Sequence, residues 1–206
     1  MAGDTSRRLN ISSFGRAILF ATVLAASLAI AYDCAVGPAR EYNGRETMVR
    51  RMSVLRDRAK STPPDAQALQ TLVKSLQSSE ASESTAAAMY LGEINDPASV
   101  DALVRALDRS GPSSDVELSA WAAKSLGNIG PDARSAVPAL IRAARQNASR
   151  PTGWWSIEAL GRIADPDDSA VITSMRQATA SADEQMRQSA SAALDVLKSR
   201  RAGTPS

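Results

Sequence analysis

Apolar residues recur along most of this chain at three- and four-residue steps, the spacing that gives a helix one buried face. The pattern is sharpest in "AAAMYLGEIN" (86–95), "WAAKSLGNIG" (121–130) and "WSIEALGRIA" (155–164). Each sets small residues ahead of Leu-Gly-x-Ile. With the leucine as marker, Leu91, Leu126, Leu160 and Leu194 stand 35, 34 and 34 residues apart. After three of these markers the pattern stops and restarts at a proline: Asp96-Pro97, Gly130-Pro131 and Asp165-Pro166. Proline suits the first helical position, where its missing N–H costs no hydrogen bond. Pro97, Pro131 and Pro166 are therefore expected to open second helices, with Asp96 as a cap. Each unit is two helices joined by a tight turn.

The segment 45–60, "RETMVRRMSVLRDRAK", and the segment 64–77, "PDAQALQTLVKSLQ", read as a degenerate first pair. "DEQMRQSASAALDVLKSR" reads as an unpaired closing helix, where Asp195 replaces the marker glycine, as a wet outer face allows. Such units cannot bury their apolar stripes alone and must stack. The expected fold is all-α, a solenoid of stacked antiparallel helix pairs. Ala122 and Ala123 share a face with Leu126 and admit the neighbouring helix, beside which Leu126 and Ile129 fill the remaining space. Gly127 is expected to relieve crowding near the helix end.

The amino terminus carries a different pattern. "AILFATVLAASLAIAY" (17–32) has no charge and follows Arg7, Arg8 and Arg16. Sixteen helical residues reach about 24 Å, against a hydrocarbon core of about 30 Å. With Arg16 snorkelling and the next few residues at the interface, a single span fits. Ala29-Ile30-Ala31 also fits the cleavage site of an export signal. The length of the run favours the anchor, and its leading arginines favour an inside amino terminus. The expected plan is thus a polar leader (1–16), a hydrophobic helix serving as transmembrane anchor or export signal (17–36), a linker (37–44), the repeat array (45–198) and a disordered tail (199–206). The bulk of the chain would lie outside the cytoplasm, membrane-held, or periplasmic or secreted after cleavage.

Composition narrows the chemistry. The chain is 44% apolar but only 4% aromatic, which suits close-packed alanine- and leucine-rich helices. Histidine is absent, which removes Ser-His-Asp and Cys-His catalysis and histidine-held metals. Cys34 stands alone, so an internal disulfide is impossible. A net charge of +2 without basic clusters interleaved by aromatics gives no reason to expect nucleic acid. No enzyme activity, cofactor or small-molecule substrate is expected.

"LGNIGPDARSAVPALIRAA" (126–144) resembles the short HEAT-like repeat, the kind also called phycobilisome-lyase-like. The resemblance covers residues 45–198 and is strongest over 86–177. In tetratricopeptide repeats of similar period the tryptophan precedes Leu-Gly by three positions, whereas Trp121 and Trp155 precede it by five. The resemblance implies a right-handed α-solenoid that binds a protein partner through the groove of its second helices. It also admits a bilin-lyase-like role.

Aligning "LVKSL", "LVRAL", "LIRAA" and "SMRQA" places a basic residue after buried Val73, Val104, Ile141 and Met175. Lys74, Arg105, Arg142 and Arg176 then form a ladder, read either as a groove for an acidic protein segment or as a solvated face. Trp121, Trp154 and Trp155 lie off the core stripe, either as anchors for a partner or as packing over the seam between repeats. The basic segment 45–60, with Arg50, Arg51, Arg56, Arg58 and Lys60, reads as a solvated helix or as a membrane-surface element. The acids of "DPDDS" (165–169) sit where a helix begins and suit capping better than a metal.

Overall fold

The structure is a computed structural model that describes residues 44–109 and 113–203, with the side chains of 113–115 left out. The chain divides into two units, Met1–Thr47 and Met48–Ser206, and of the first only residues 44–47 are described. The expected hydrophobic helix at 17–36, with the leader, most of the linker and Cys34, lies outside the described residues. Among the described residues no helix is long and apolar enough to cross a membrane.

Helices follow one another without a strand among the described residues. They are α1 (44–59), α2 (Ala66–Ser75), α3 (Ala81–Ile94), α4 (Val100–Leu107) and α5 (Ser113–Ile129). The rest are α6 (Val137–Gln146), α7 (Pro151–Ile163), α8 (Ser169–Thr179) and α9 (Glu184–Ala202). The odd-numbered first helices pack directly, α3 on α5, α5 on α7 and α7 on α9. Each even-numbered second helix lies on the first helix that follows it: α2 on α3, α4 on α5, α6 on α7 and α8 on α9. The second helices touch one another far less.

The marker residues explain the close seam. Leu91, Leu126 and Leu160 are fully buried, with Ala122 and Ala123 beside Leu126. Burying each leucine contributes about 1.5–3 kcal/mol. The marker glycines serve contact between helices rather than crowding at a helix end. A Cβ on Gly92 would stand 2.3 Å from Ser125 Oγ, one on Gly127 3.1 Å from Ala159 Cβ, and one on Gly161 3.1 Å from Ala193 Cβ. Ser125 Oγ also donates to the Ala88 carbonyl at 2.7 Å, tying α5 to α3. On α9, Leu194 is only partly buried and Asp195, in the place of the marker glycine, is exposed and bonded to Lys198 at 2.9 Å.

Aspartates open three of the second helices. Asp65 accepts from the Gln67 and Ala68 N–H groups, Asp96 from Ala98, and Asp168 from Ala170 and Val171. Pro97 opens a 3-10 turn, Pro97–Ser99, that runs into α4. Pro131 likewise lies in a 3-10 run, Gly130–Ala136, so α6 begins later, at Val137. Pro166 departs from the expectation: it lies in the turn before the Asp168 cap, not at the first helical position. The cause is the residue that ends each first helix. Asn95 and Gly130 take left-handed φ of 59° and 74°, which turns the chain at once. Ala164 occupies the same place in the third unit, and a Cβ disfavours that conformation. It leaves extended, φ −69° and ψ 158°, and the reversal falls to the next residues.

Helix α9 runs four residues past the expected array boundary at 198, into the stretch assigned to a disordered tail. Arg200 secures it by donating to the carbonyls of Gly161 and Ala164 at 3.0 and 2.9 Å. Gly161 lies in the last turn of α7 and Ala164 caps it, so the helix itself leaves both carbonyls unbonded.

Candidate partner-binding surface

The cation ladder has three rungs in register, not four. In α2, α4 and α6 a buried leucine (Leu72, Leu103, Leu140) is followed by a half-buried residue and then an exposed cation. Val73, Val104 and Ile141 are therefore partly buried, against the expectation of full burial; only Met175 is buried. The same succession in α8 is Val171, Ile172 and Thr173. Thr173, not Arg176, stands level with Lys74, Arg105 and Arg142. The connections before α4, α6 and α8 differ in length, so matching the motifs does not match the helices in register. Arg176 falls one helical turn further on, level with Gln77, Asp108 and Arg145.

Arg142 Nη2 bonds Asp108 Oδ2 at 2.9 Å, with both side chains about half exposed at 54% and 46%. A pair so open to water contributes about 0–1 kcal/mol. Among the described residues Lys74, Arg105 and Arg176 make no ion pair. The exposed cations of the second helices outnumber their acids, since only Asp101 and Asp108 oppose Lys74, Arg105, Arg142, Arg145 and Arg176.

Because the second helices stand apart, a cleft opens at each seam between them. The α2–α4 cleft, about 230 Å³, has Val73, Leu76, Ala102 and Ala106 in its walls and Arg105 and Arg109 beside them. The α4–α6 cleft, about 300 Å³, is the more polar, with Leu107, Val116 and Ala143 below Asp108, Gln146 and Arg150. The α6–α8 cleft, about 220 Å³, is lined by Ala148, Ile157, Ala178 and Met186 under Arg145 and Gln177. Arg145 and Arg150 were missed in the sequence. Arg145 was legible one turn after Arg142, but the clefts follow from helix separation, which has no sequence signature.

The tryptophans belong to the first helices. Trp121 of α5 and Trp155 of α7 pack on each other with ring centres 5.3 Å apart and planes at 65°. Lys124 Nζ lies 4.6 Å from one ring centre and 4.8 Å from the other, a shared cation–π contact that sequence reasoning also missed. Trp154 is half-buried, and its indole Nε1 is buried without a hydrogen-bond partner. The structure thus joins Trp121 to Trp155 across the seam between repeats and places both on helices other than those of the ladder.

Two of the arginines in α1 and the turn after it act locally. Arg56 bonds Asp57 at 2.9 Å and Glu93 at 3.0 Å and lies 5.1 Å from the Tyr90 ring centre. Its bond to Asp57 holds the guanidinium above its ordinary pKa, against a smaller opposing effect of desolvation. Arg58 pairs with Asp65 at 2.6 Å. The Asp65 carboxyl is lowered first by the Ala68 N–H and then by Arg58. Val49 and Val54 leave 47% and 52% of their surface exposed on α1. In "DPDDS", Asp165 accepts from the Asp167 N–H at 3.0 Å, Asp167 pairs with Arg201 at 3.1 Å and Asp168 caps α8. No group of acids, cysteines or histidines suited to a metal occurs among the described residues.

Helix pairs stacked through one continuous core are those of an α-solenoid. A family model described as HEAT repeats matches residues 110–195, and one described as PBS lyase HEAT-like repeat matches 85–109. The chain is a HEAT-like repeat protein. Comparison with curated proteins returned no match.

Proposed function

We propose that the chain is a non-catalytic HEAT-like scaffold that binds an acidic protein partner through the exposed face of its second helices. The observation that carries this reading is the row Lys74, Arg105 and Arg142, level on three successive second helices. Lys74 and Arg105 have no ion-pair partner among the described residues, so their charge is available to carboxylates, which arginine engages in bidentate fashion. The stack is right-handed in this reading. In this reading the uncharged run within 17–36 holds the repeats at a membrane, outside the cytoplasm; cleavage after Ala31 would release them. Trp121, Trp154 and Trp155 offer a secondary contact on the first helices.

The test is capture from native extract with the full chain and with the variant Lys74→Glu, Arg105→Glu, Arg142→Glu, Arg176→Glu. A partner lost by the variant while its helical circular dichroism and melting temperature hold supports the reading. Capture of the same set by both assigns the row to a solvated face. The match of 85–109 to PBS lyase HEAT-like repeats favours one further reading, an enzyme-associated role. Visible pigment absorbance co-purifying with the chain would support it.

A further inference from the structure

Two grooves lie beside the seam of the first helices, one lined by α5 and α7 and one by α7 and α9, and they are the same groove one repeat apart. The seam is equally close at both: a Cβ on Gly127 would stand 3.1 Å from Ala159 Cβ, and one on Gly161 3.1 Å from Ala193 Cβ. Ala159 lines the first groove and Ala193 the second. The other wall residues also correspond at a step of 34 residues. On one wall Lys124 gives way to Glu158, and on the opposite wall Trp155, Glu158 and Arg162 give way to Ser189, Ala192 and Val196. In the α5–α7 groove, where Trp155 packs on Trp121 with Lys124 over both rings, only about 30 Å³ of space is left. The α7–α9 groove keeps about 410 Å³, and Val196 in its wall is 40% exposed.

One site is thus built twice and filled once. Around the vacant copy, Ala192, Ala193 and Val196 offer the small apolar surface that a flat ring covers well. Its polar groups are short of donors to accept from. Arg162 holds Glu158 through Oε1 alone, at 2.7 Å, and the Gln188 amide donates to Glu184 at 2.8 Å. Glu158 Oε2 and Gln188 Oε1 remain as acceptors. A carboxylate also stands where the filled copy has the ammonium of Lys124. The ring that complements this charge carries a positive donor at its edge. Indole fits, since its N–H donates and it has no acceptor to leave unmatched.

We propose that the α7–α9 groove docks a tryptophan side chain of a partner protein. The ring lies over Ser189, in the place that Trp155 takes one repeat earlier, and its N–H donates to Glu158. This surface belongs to the first helices and is separate from the cation row, so the inference stands apart from the acidic-partner reading.

The experiment uses the full chain in detergent and a glycine- and serine-rich peptide with a single fluorotryptophan, read by its fluorine NMR signal. A saturable shift at millimolar peptide is expected. The same peptide methylated on the indole nitrogen should bind about tenfold more weakly, having lost one hydrogen bond to a charged group. Ser189→Trp fills the groove from within and should abolish the shift. Ala192→Glu with Val196→Arg, both at exposed positions, restores the wall of the filled groove and should abolish it independently. Arg105→Glu, on a second helix, should leave it unchanged. No saturable shift with the unaltered chain overturns the inference. So does a shift that survives both groove variants, or equal binding by the methylated peptide. A shift lost in Arg105→Glu would place the peptide on the second helices and overturn it as well.

Discussion

Along the seam where α3, α5, α7 and α9 meet, Gly92, Gly127 and Gly161 let backbones approach Ser125, Ala159 and Ala193. One layer away, α2, α4, α6 and α8 stand apart, with clefts between them and exposed cations along them. The same repeat builds both, and the difference lies in which helices touch. Small residues on the first helices close their seam until nothing else fits. On the second helices Val73, Val104 and Ile141 are only half-buried, and these helices touch one another far less. In this stack the first helices supply cohesion and the second helices supply surface.

Substitution at the closed seam should break that division most severely. In Gly92→Val, the Cβ alone meets Ser125 Oγ at 2.3 Å and Ser125 Cα at 2.8 Å, and a backbone atom cannot rotate away. The loss should be about 3 kcal/mol or more, since overpacking a tight core already costs about 1–3. Denaturant unfolding measures it directly. An unchanged midpoint would mean that the seam is not closed as described. Gly127→Ala meets Ala159 at the milder 3.1 Å. Its strain is partly offset by the roughly 1 kcal/mol helix preference of alanine over glycine.

Truncation gives the next largest contrast. Leu126 is fully buried in the closed layer, so Leu126→Ala should cost about 2–5 kcal/mol. Val104 is only partly buried at the open layer, and Val104→Ala should cost about 1 kcal/mol or less. Equal losses would show that both layers are packed alike and would remove the basis for reading the second helices as surface.

The closed layer was far more legible in the sequence than the open one. Leu91, Leu126 and Leu160, with alanines before them and glycine after, announce a repeated buried helix, and the structure buries all three. The role of the marker glycine was not readable, because its reason, Ser125 or Ala159 on another helix, lies about one repeat away. On the open layer, pattern matching aligned Arg176 with the ladder because "SMRQA" looks like "LIRAA". What defeated it was the varying length of the connection: the ladder position follows the marker leucine by 14 residues at Arg105, 16 at Arg142 and 13 at Thr173. The connection sets the register of the helix that follows it, and a local motif could not report it.

That register can be repaired, and the repair gives the smallest expected effect on stability. Thr173 is exposed and level with Lys74, Arg105 and Arg142, so Thr173→Arg would supply the missing fourth rung. An exposed substitution away from caps and core should shift stability by no more than about 0.5 kcal/mol. Repulsion from Arg142, one helix away, is largely screened at physiological salt. Thermal melting should therefore be indifferent to the change. An acidic ligand of the ladder should bind Thr173→Arg more tightly, and the gain should shrink as salt rises. A clear loss of stability would mean that Thr173 is packed rather than exposed, and α8 would then be in register with Arg176 after all. Tighter binding without that loss would place the fourth rung at Thr173 and extend the open layer across every second helix.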